Sequence, residues 1–213
     1  MTLRTISALG AAFLLAAAVA PAQEKKLNCE DRRNDNRHRV CEMREMSVPN
    51  NGRLEVDAAP NGGIRVTAWD RSDILVRAKV EAWGDSDSES TSRMNQVQIS
   101  TAGARVKADG PTSAAVGIKT GDQEWSVSYE AFVPRKMNLK LDSVNGGIHV
   151  DNVHGDLTFK TVNGGISLAG VNGTVKGETV NGGVNVDIAG ARWEGTGLEL
   201  ETVNGGVELS VPS

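Results

Sequence analysis

The chain is poor in aromatic residues, proline, cysteine and histidine, and it carries no excess of positive charge. Four Trp, three Phe and one Tyr among 213 residues leave aromatic packing only a local role. Six prolines beside 24 glycines exclude a collagen-like chain. The formal charge of −4 and a pI of about 5.5 argue against a nucleic-acid surface, which needs clustered Lys and Arg to neutralise phosphates. There is no Gly-x-Ser-x-Gly elbow, no His-Glu-x-x-His and no phosphate loop followed by Lys and Ser or Thr. No catalytic residue, no cofactor and no metal site is therefore expected. With 39% hydrophobic and 23% charged residues, the chain has the means to bury a core.

Only one long apolar run exists, and it lies at the start. Arg4 precedes the stretch from Ile6 to Ala20, which has signal-peptide length. Ala20-Pro21-Ala22 places small residues at the −3 and −1 positions, so residues 1–22 read as a signal peptide cleaved before Gln23. Losing Arg4 takes the formal charge from −4 to −5. No Cys sits at the cleavage point, so no lipid anchor is expected, and no later segment predicts an integral membrane span. The protein reads as exported, to the periplasm or to the cell surface and beyond.

Export makes the two cysteines interpretable. Cys29 and Cys41 enclose a polar stretch dense in Arg, Asp and Asn. In an oxidising compartment such a pair predicts one disulfide. Closing a loop of this size stabilises by about 3 kcal/mol in the chain-entropy treatment. A metal site from Cys29, His38 and Cys41 is the competing reading, but it has three candidate ligands and no zinc-finger spacing. Residues 23–44 read as a polar segment carrying this loop.

The C-terminal part has a nine-residue beat. Asn-Gly-Gly occurs at Asn61-Gly62-Gly63, Asn145-Gly146-Gly147, Asn163-Gly164-Gly165, Asn181-Gly182-Gly183 and Asn204-Gly205-Gly206. NGGIHVDNV from Asn145 aligns with HGDLTFKTV from His154, and NGGISLAGV from Asn163 with NGTVKGETV from Asn172. Eight such units run from Lys136 to Pro212, interrupted by Gly190 to Glu194, and two more begin at Asn51 and Asn61. Counting the first residue as zero, offsets three, five and eight are mostly apolar and the residues between are polar. Two apolar positions flanking a polar one make a short strand with one buried face. The Asn-Gly-Gly turns are expected to supply positive φ angles.

Offset eight breaks the strict alternation that a meander with two-residue turns requires. The pattern therefore predicts an all-β, parallel β-solenoid with two units, 18 residues, per coil and about four coils roughly 4.8 Å apart. An antiparallel β-sandwich or meander is the alternative, since Asn-Gly between alternating runs also signals hairpins. In a stack, Asn145, Asn163 and Asn181 would form an amide ladder and the offset-eight valines a buried seam. On that reading Val162→Asp is severely destabilising.

Residues 45–135 read as a β-rich N-terminal section and cap, and 136–213 as the repeat region. Residues 74 to 83 alternate cleanly, as do Trp125 to Val133, giving two longer strands. Asp85 to Met94 is a short capped helix or a loop, and Gln96–Ser100 with Arg105–Ala108 a hairpin around Gly103. Gly190 to Glu194 and Pro212 are assigned to covering the far end. The four tryptophans, Trp69, Trp83, Trp125 and Trp193, read as packing at caps and corners, with an exposed sugar platform as the sharper alternative. Histidines 149 and 154 fall on opposite faces, and His154 takes the place of a turn Asn. Asp142, Asp151, Asp156, Asp187, Glu199 and Glu201 lie on the expected outer faces, where paired carboxylates would suit a carbohydrate-active enzyme.

Several segments together resemble a known family: the leading Cys pair, CEMREMSVP, NGGIRVTAWDRSDILVRAKVEAW, EWSVSYEAFVP and the recurring TVNGG. They resemble an exported bacterial β-strand-repeat family labelled putative adhesin, over nearly the whole of the chain after residue 22. The resemblance implies a non-enzymatic envelope protein presenting a repetitive β surface, with no catalytic residues assigned. Its implied partner is an envelope protein or a glycan. A structural, self-associating envelope element is a further alternative.

Overall fold

The computed structural model describes residues 27–30, 38–58, 60–111, 124–188 and 192–211. The expected signal peptide lies outside them, as do Gly190 and Pro212. In chain order the first strands are β1 (His38–Val48), β2 (Arg53–Asp57), β3 (Ile64–Trp69) and β4 (Ile74–Gly84). Helix α1 (Asp87–Gln96) follows, then β5 (Gln98–Ser100), β6 (Arg105–Asp109) and β7 (Trp125–Pro134). The repeat units supply β8 (Asn138–Asp142), β9 (Ile148–Asp151), β10 (His154–Asn163) and β11 (Ile166–Ala169). They end with β12 (Asn172–Asn181), β13 (Val184–Asp187), β14 (Gly197–Asn204) and β15 (Val207–Ser210).

These strands form two open sheets, ordered β1-β4-β7-β3-β9-β11-β13-β15 and β14-β12-β10-β8-β2-β6-β5. Both are mixed. The β1–β4, β4–β7 and β5–β6 pairs are antiparallel, whereas the nonapeptide strands pair in parallel with partners in the same sheet. This corrects the expected parallel β-solenoid with a separate cap: the coils do not close, and antiparallel strands belong to the same two sheets as the repeats. A two-sheet sandwich describes the chain better. The cause is visible in the long alternating runs of β4 and β7. Neither contains an Asn-Gly-Gly corner, so each crosses its sheet uninterrupted and β4 lies antiparallel to both neighbours.

Alternate nonapeptides go to opposite sheets. Units beginning at Asn61, Asn145, Asn163, Asn181 and Asn204 build β3, β9, β11, β13 and β15; the intervening units build β8, β10, β12 and β14. Offsets three and five of both sets meet in one core, including Ile148, Val150, Leu157, Phe159, Ile166 and Leu168. Gly177 breaks the apolar pattern at offset five because it lies between Phe159 and Leu200, and an added Cβ would come 2.9 Å from Leu200. A large neighbour fills the volume that the glycine leaves. Helix α1, capped by the Ser86 hydroxyl accepting from the Glu89 amide, contacts β4 and β1 and adds Met94 to the core.

The two corners of each repeat pair differ. At one, Asn152 (φ 58°) and Gly170 (φ 62°) adopt the left-handed conformation, and the valines after them, Val153 and Val171, are buried. At the Asn-Gly-Gly corner the hydroxyl residue before the valine turns inward instead, buried at Ser143, Thr161 and Thr179 and half-buried at Thr202. Ser143, Thr161, Thr179 and Thr202 donate to the carbonyls of Gly62, Gly146, Gly164 and Gly182, at 2.8–2.9 Å. Val162 is half-buried there, and Val180 and Val203 are 38% and 74% exposed. The valine seam is thus real at one corner and turned outward at the other.

Candidate binding groove

The predicted turn residues come together along one edge of the eight-stranded sheet. Asn145, Asn163, Asn181 and Asn204 each donate a side-chain N–H to the amide oxygen of the preceding ladder Asn, beginning with Asn61, at 2.8–2.9 Å. Their glycines matter for a reason that φ does not capture. Of the ten turn glycines only Gly62, at 155°, has positive φ. An added Cβ on Gly146, Gly164, Gly182 or Gly205 would instead lie 2.0–2.3 Å from the carbonyl oxygen of the glycine one rung back. Close backbone approach excludes a side chain.

The second glycine of each turn faces outward. Gly63, Gly147, Gly165 and Gly183 line an open groove of about 560 Å3 that also takes in Arg65, Ser128, His149, Ser167 and Asn185. It spans β7, β3, β9, β11 and β13, which at strand spacing is roughly 20 Å. Leu27 also lines it. The glycines keep the floor low, and offset four of each unit raises one wall.

That wall belongs to a row crossing the whole sheet: Glu45, Arg77, Glu130, Arg65, His149, Ser167, Asn185 and Glu208. Its first part alternates in charge and is self-neutralising. Arg77 Nε lies 2.8 Å from Glu45 and its Nη1 3.7 Å from buried Glu130, and the Glu45 hydrogen bond raises its pKa further above the ordinary arginine value. Asp151 is 8% exposed, with His149 Nε2 at 3.1 Å and Arg65 Nη1 at 3.9 Å from its Oδ2. Over β11 and β13 the row turns neutral, with Ser167 and Asn185 presenting hydrogen-bonding groups.

The other candidates disperse. Cys29 and Cys41 form the expected disulfide, with Cα atoms 5.7 Å apart, so neither thiol is available to a metal. His38 instead lies 2.7 Å from Asp87 on α1. Among the described residues no group of three His, Cys, Asp or Glu is placed to hold a metal. Asp142, Asp156, Glu199 and Glu201 are on the seven-stranded sheet and Asp151 and Asp187 on the other. Burial raises the pKa of Asp142, Lys140 offsets this, and Asp57 and Glu55 add to the rise.

Trp69 is engaged by its neighbours. Phe132 stacks on it at 5.5 Å and the Arg71 guanidinium sits 4.3 Å from its ring centre. Trp83 and Trp125 are buried, and Trp193 donates to the Gly173 carbonyl. A second hollow, of about 400 Å3, lies at the other corner beside Lys136, His154, Asn172 and Glu194. The Asn172 amide oxygen there already accepts from Gly173 and Glu194.

Sequence reading missed the groove wall and Leu27. The signal was present as the offset-four column, yet only the assignment of alternate units to different sheets separates Arg65, His149, Ser167 and Asn185 from Lys140, Thr158, Lys176 and Glu199.

No protein-family model matches the chain, and no curated protein matches it. Among solved structures it is similar to a putative cell adhesion protein from Clostridium sporogenes, at 9% identity and a TM-score of 0.47, over 80% of this chain and 99% of that one. It is similar to a putative lipid binding protein from Parabacteroides distasonis at 10% identity and a TM-score of 0.33, over 79% and 62% of the two chains. A putative adhesin from Bacteroides fragilis is similar at 8% identity and a TM-score of 0.27, over 80% of this chain and 97% of that one. Adhesin and cell-adhesion names thus recur among these structures. No helix among the described residues is long and apolar enough to cross a membrane.

Proposed function

We propose that this is an exported, non-enzymatic, adhesin-like envelope protein whose groove across the eight-stranded sheet holds an extended glycan. The groove carries this reading: a glycine floor beside a wall offering one polar group per strand. Rungs about 4.8 Å apart suit a pyranose chain, which advances by about one rung per ring and carries hydroxyls along both edges. An extended peptide rises about 3.3 Å per residue and falls out of step with them. The disulfide fits an oxidising compartment.

Isothermal titration with a panel of extended neutral oligosaccharides, followed by envelope polysaccharide fragments, tests this. A saturable ligand is expected, weakened at least tenfold by Ser167→Trp, which fills the groove. Absence of any saturable glycan, or full retention by Ser167→Trp, overturns it.

Self-association is a second reading, favoured by the exposure of Val203, Val207, Leu209 and Val211 on and beside β14 and β15. Sedimentation that stays monomeric at rising concentration removes it.

A further inference from the structure

The outer face of the eight-stranded sheet carries one segment of the chain's own N-terminal part. On β1, Glu45 belongs to the outer row that pairs with Arg77, and alternation puts Cys41 on the same face. The bond to Cys29 therefore holds residues 27–30 over this face, and Leu27 is one of the residues that line the groove, which starts at β7, the groove strand nearest β1 in the sheet order. We propose that Leu27 is a plug for the β7–β3 end of the groove, kept in place by the Cys29–Cys41 disulfide, and that reduction of this bond lengthens the open groove. The proposal rests on the groove assigned above but not on the identity of its partner.

The physical reason is a balance of two terms. A leucine side chain on a glycine floor removes some apolar surface from water. Fixing the backbone of the four residues around it costs more conformational entropy than that single contact returns. The covalent link to β1 removes most of the entropy loss, because residue 29 is already anchored and only Asn28 separates it from the plug. Reduction by a dithiol transfers two electrons and two protons to the bridge, leaving two thiols and the reagent's cyclic disulfide. The segment then loses its anchor, and the glycine floor at Gly63 becomes more exposed.

The test uses two variables and needs no natural ligand. The probe is 8-anilinonaphthalene-1-sulfonate, read by fluorescence, with the amide resonances of Gly63, Gly147 and Gly206 recorded in parallel. Both dithiothreitol and Leu27→Ser in the oxidised protein are expected to raise dye binding severalfold and to shift Gly63 and Gly147. Gly206, outside the groove lining, is expected to stay unmoved. Leu27→Ser keeps the disulfide, so it decides the matter if reduction loosens the fold. Unchanged dye binding and unchanged Gly63 and Gly147 resonances in Leu27→Ser overturn the plug. Because no glycan enters this experiment, that failure leaves the binding reading to its own titration.

Discussion

Thr161 donates its hydroxyl to the carbonyl of Gly146, 2.9 Å away and one rung back in the stack. Thr161 is 1% exposed, so the bond is formed inside the fold. The same contact recurs at Ser143, Thr179 and Thr202, and it sets the inward residue of the Asn-Gly-Gly corner. Thr161→Val keeps the shape and removes the donor. It is expected to cost about 1–2 kcal/mol in urea unfolding. A change below a few tenths would show that the hydroxyl does not hold the corner.

The two turn glycines should respond differently to a methyl group. At Gly164 the new Cβ would sit 2.3 Å from the Gly146 oxygen, and at Gly165 3.2 Å from the Gly183 oxygen, whereas Gly206 has open space. Gly164→Ala is expected to lose about 3 kcal/mol or more, Gly165→Ala about 1 kcal/mol, and Gly206→Ala close to nothing. Thermal melts of the three variants check the order, and any inversion refutes close approach as its cause.

Charge at the corners should discriminate buried from outward valines. Val171 is 1% exposed, so Val171→Asp leaves an unpaired carboxylate in the core and is expected to prevent folding or cost above about 4 kcal/mol. Val162→Asp, at the outward corner, is expected to be milder by at least about 2 kcal/mol, contrary to the seam expected from sequence. Circular dichroism of the purified pair decides between them.

Tyr129 is 1% exposed, and its hydroxyl has no hydrogen-bond partner among the described residues. Burial, reinforced by Asp57 and Asp109, drives its pKa upward, so the phenol stays neutral. Tyr129→Phe removes an unpaired polar atom and is expected to be neutral or stabilising by up to about 1 kcal/mol. A loss of stability would reveal a partner for the hydroxyl.

Asp142 gives a pH signature. Its folded pKa is raised above 3.8, chiefly by burial, so the fold favours the neutral carboxyl. That contribution is present below about pH 3.8 and is lost as pH rises through the raised value. Asp142→Asn is therefore expected to gain stability over the parent near neutral pH and to lose the advantage toward about pH 3. The effect should be small, because the side chain is 40% exposed. Equal differences at both ends of the range would contradict the sign.

Much of the local structure was legible in the residues. The nine-residue beat located β8 to β15, the 74–83 and 125–133 alternations located β4 and β7, and Gly103 marked the β5–β6 hairpin. The Ser- and Asp-rich stretch from Asp85 to Met94 left a helix and a loop open, and α1 (Asp87–Gln96) settles it. The groove was not legible, because its floor and wall come from residues in five strands, and Leu27 reaches it through a disulfide rather than through sequence proximity.

Sequence alone located the repeat strands and β4 and β7, though not β1, which crosses the boundary expected between residues 44 and 45, since alternation and turn residues act over a few neighbours. It also determined the rungs of the amide ladder, since an 18-residue repeat returns the same side chain to the same height. Tertiary structure decided which sheet each unit joins, which corner residue points inward, and that β4 runs antiparallel between β1 and β7 where they extend the repeat sheet. Those outcomes depend on pairing and burial between residues far apart in the chain, where hydrogen bonding satisfies either strand direction and only packing of the shared core selects one.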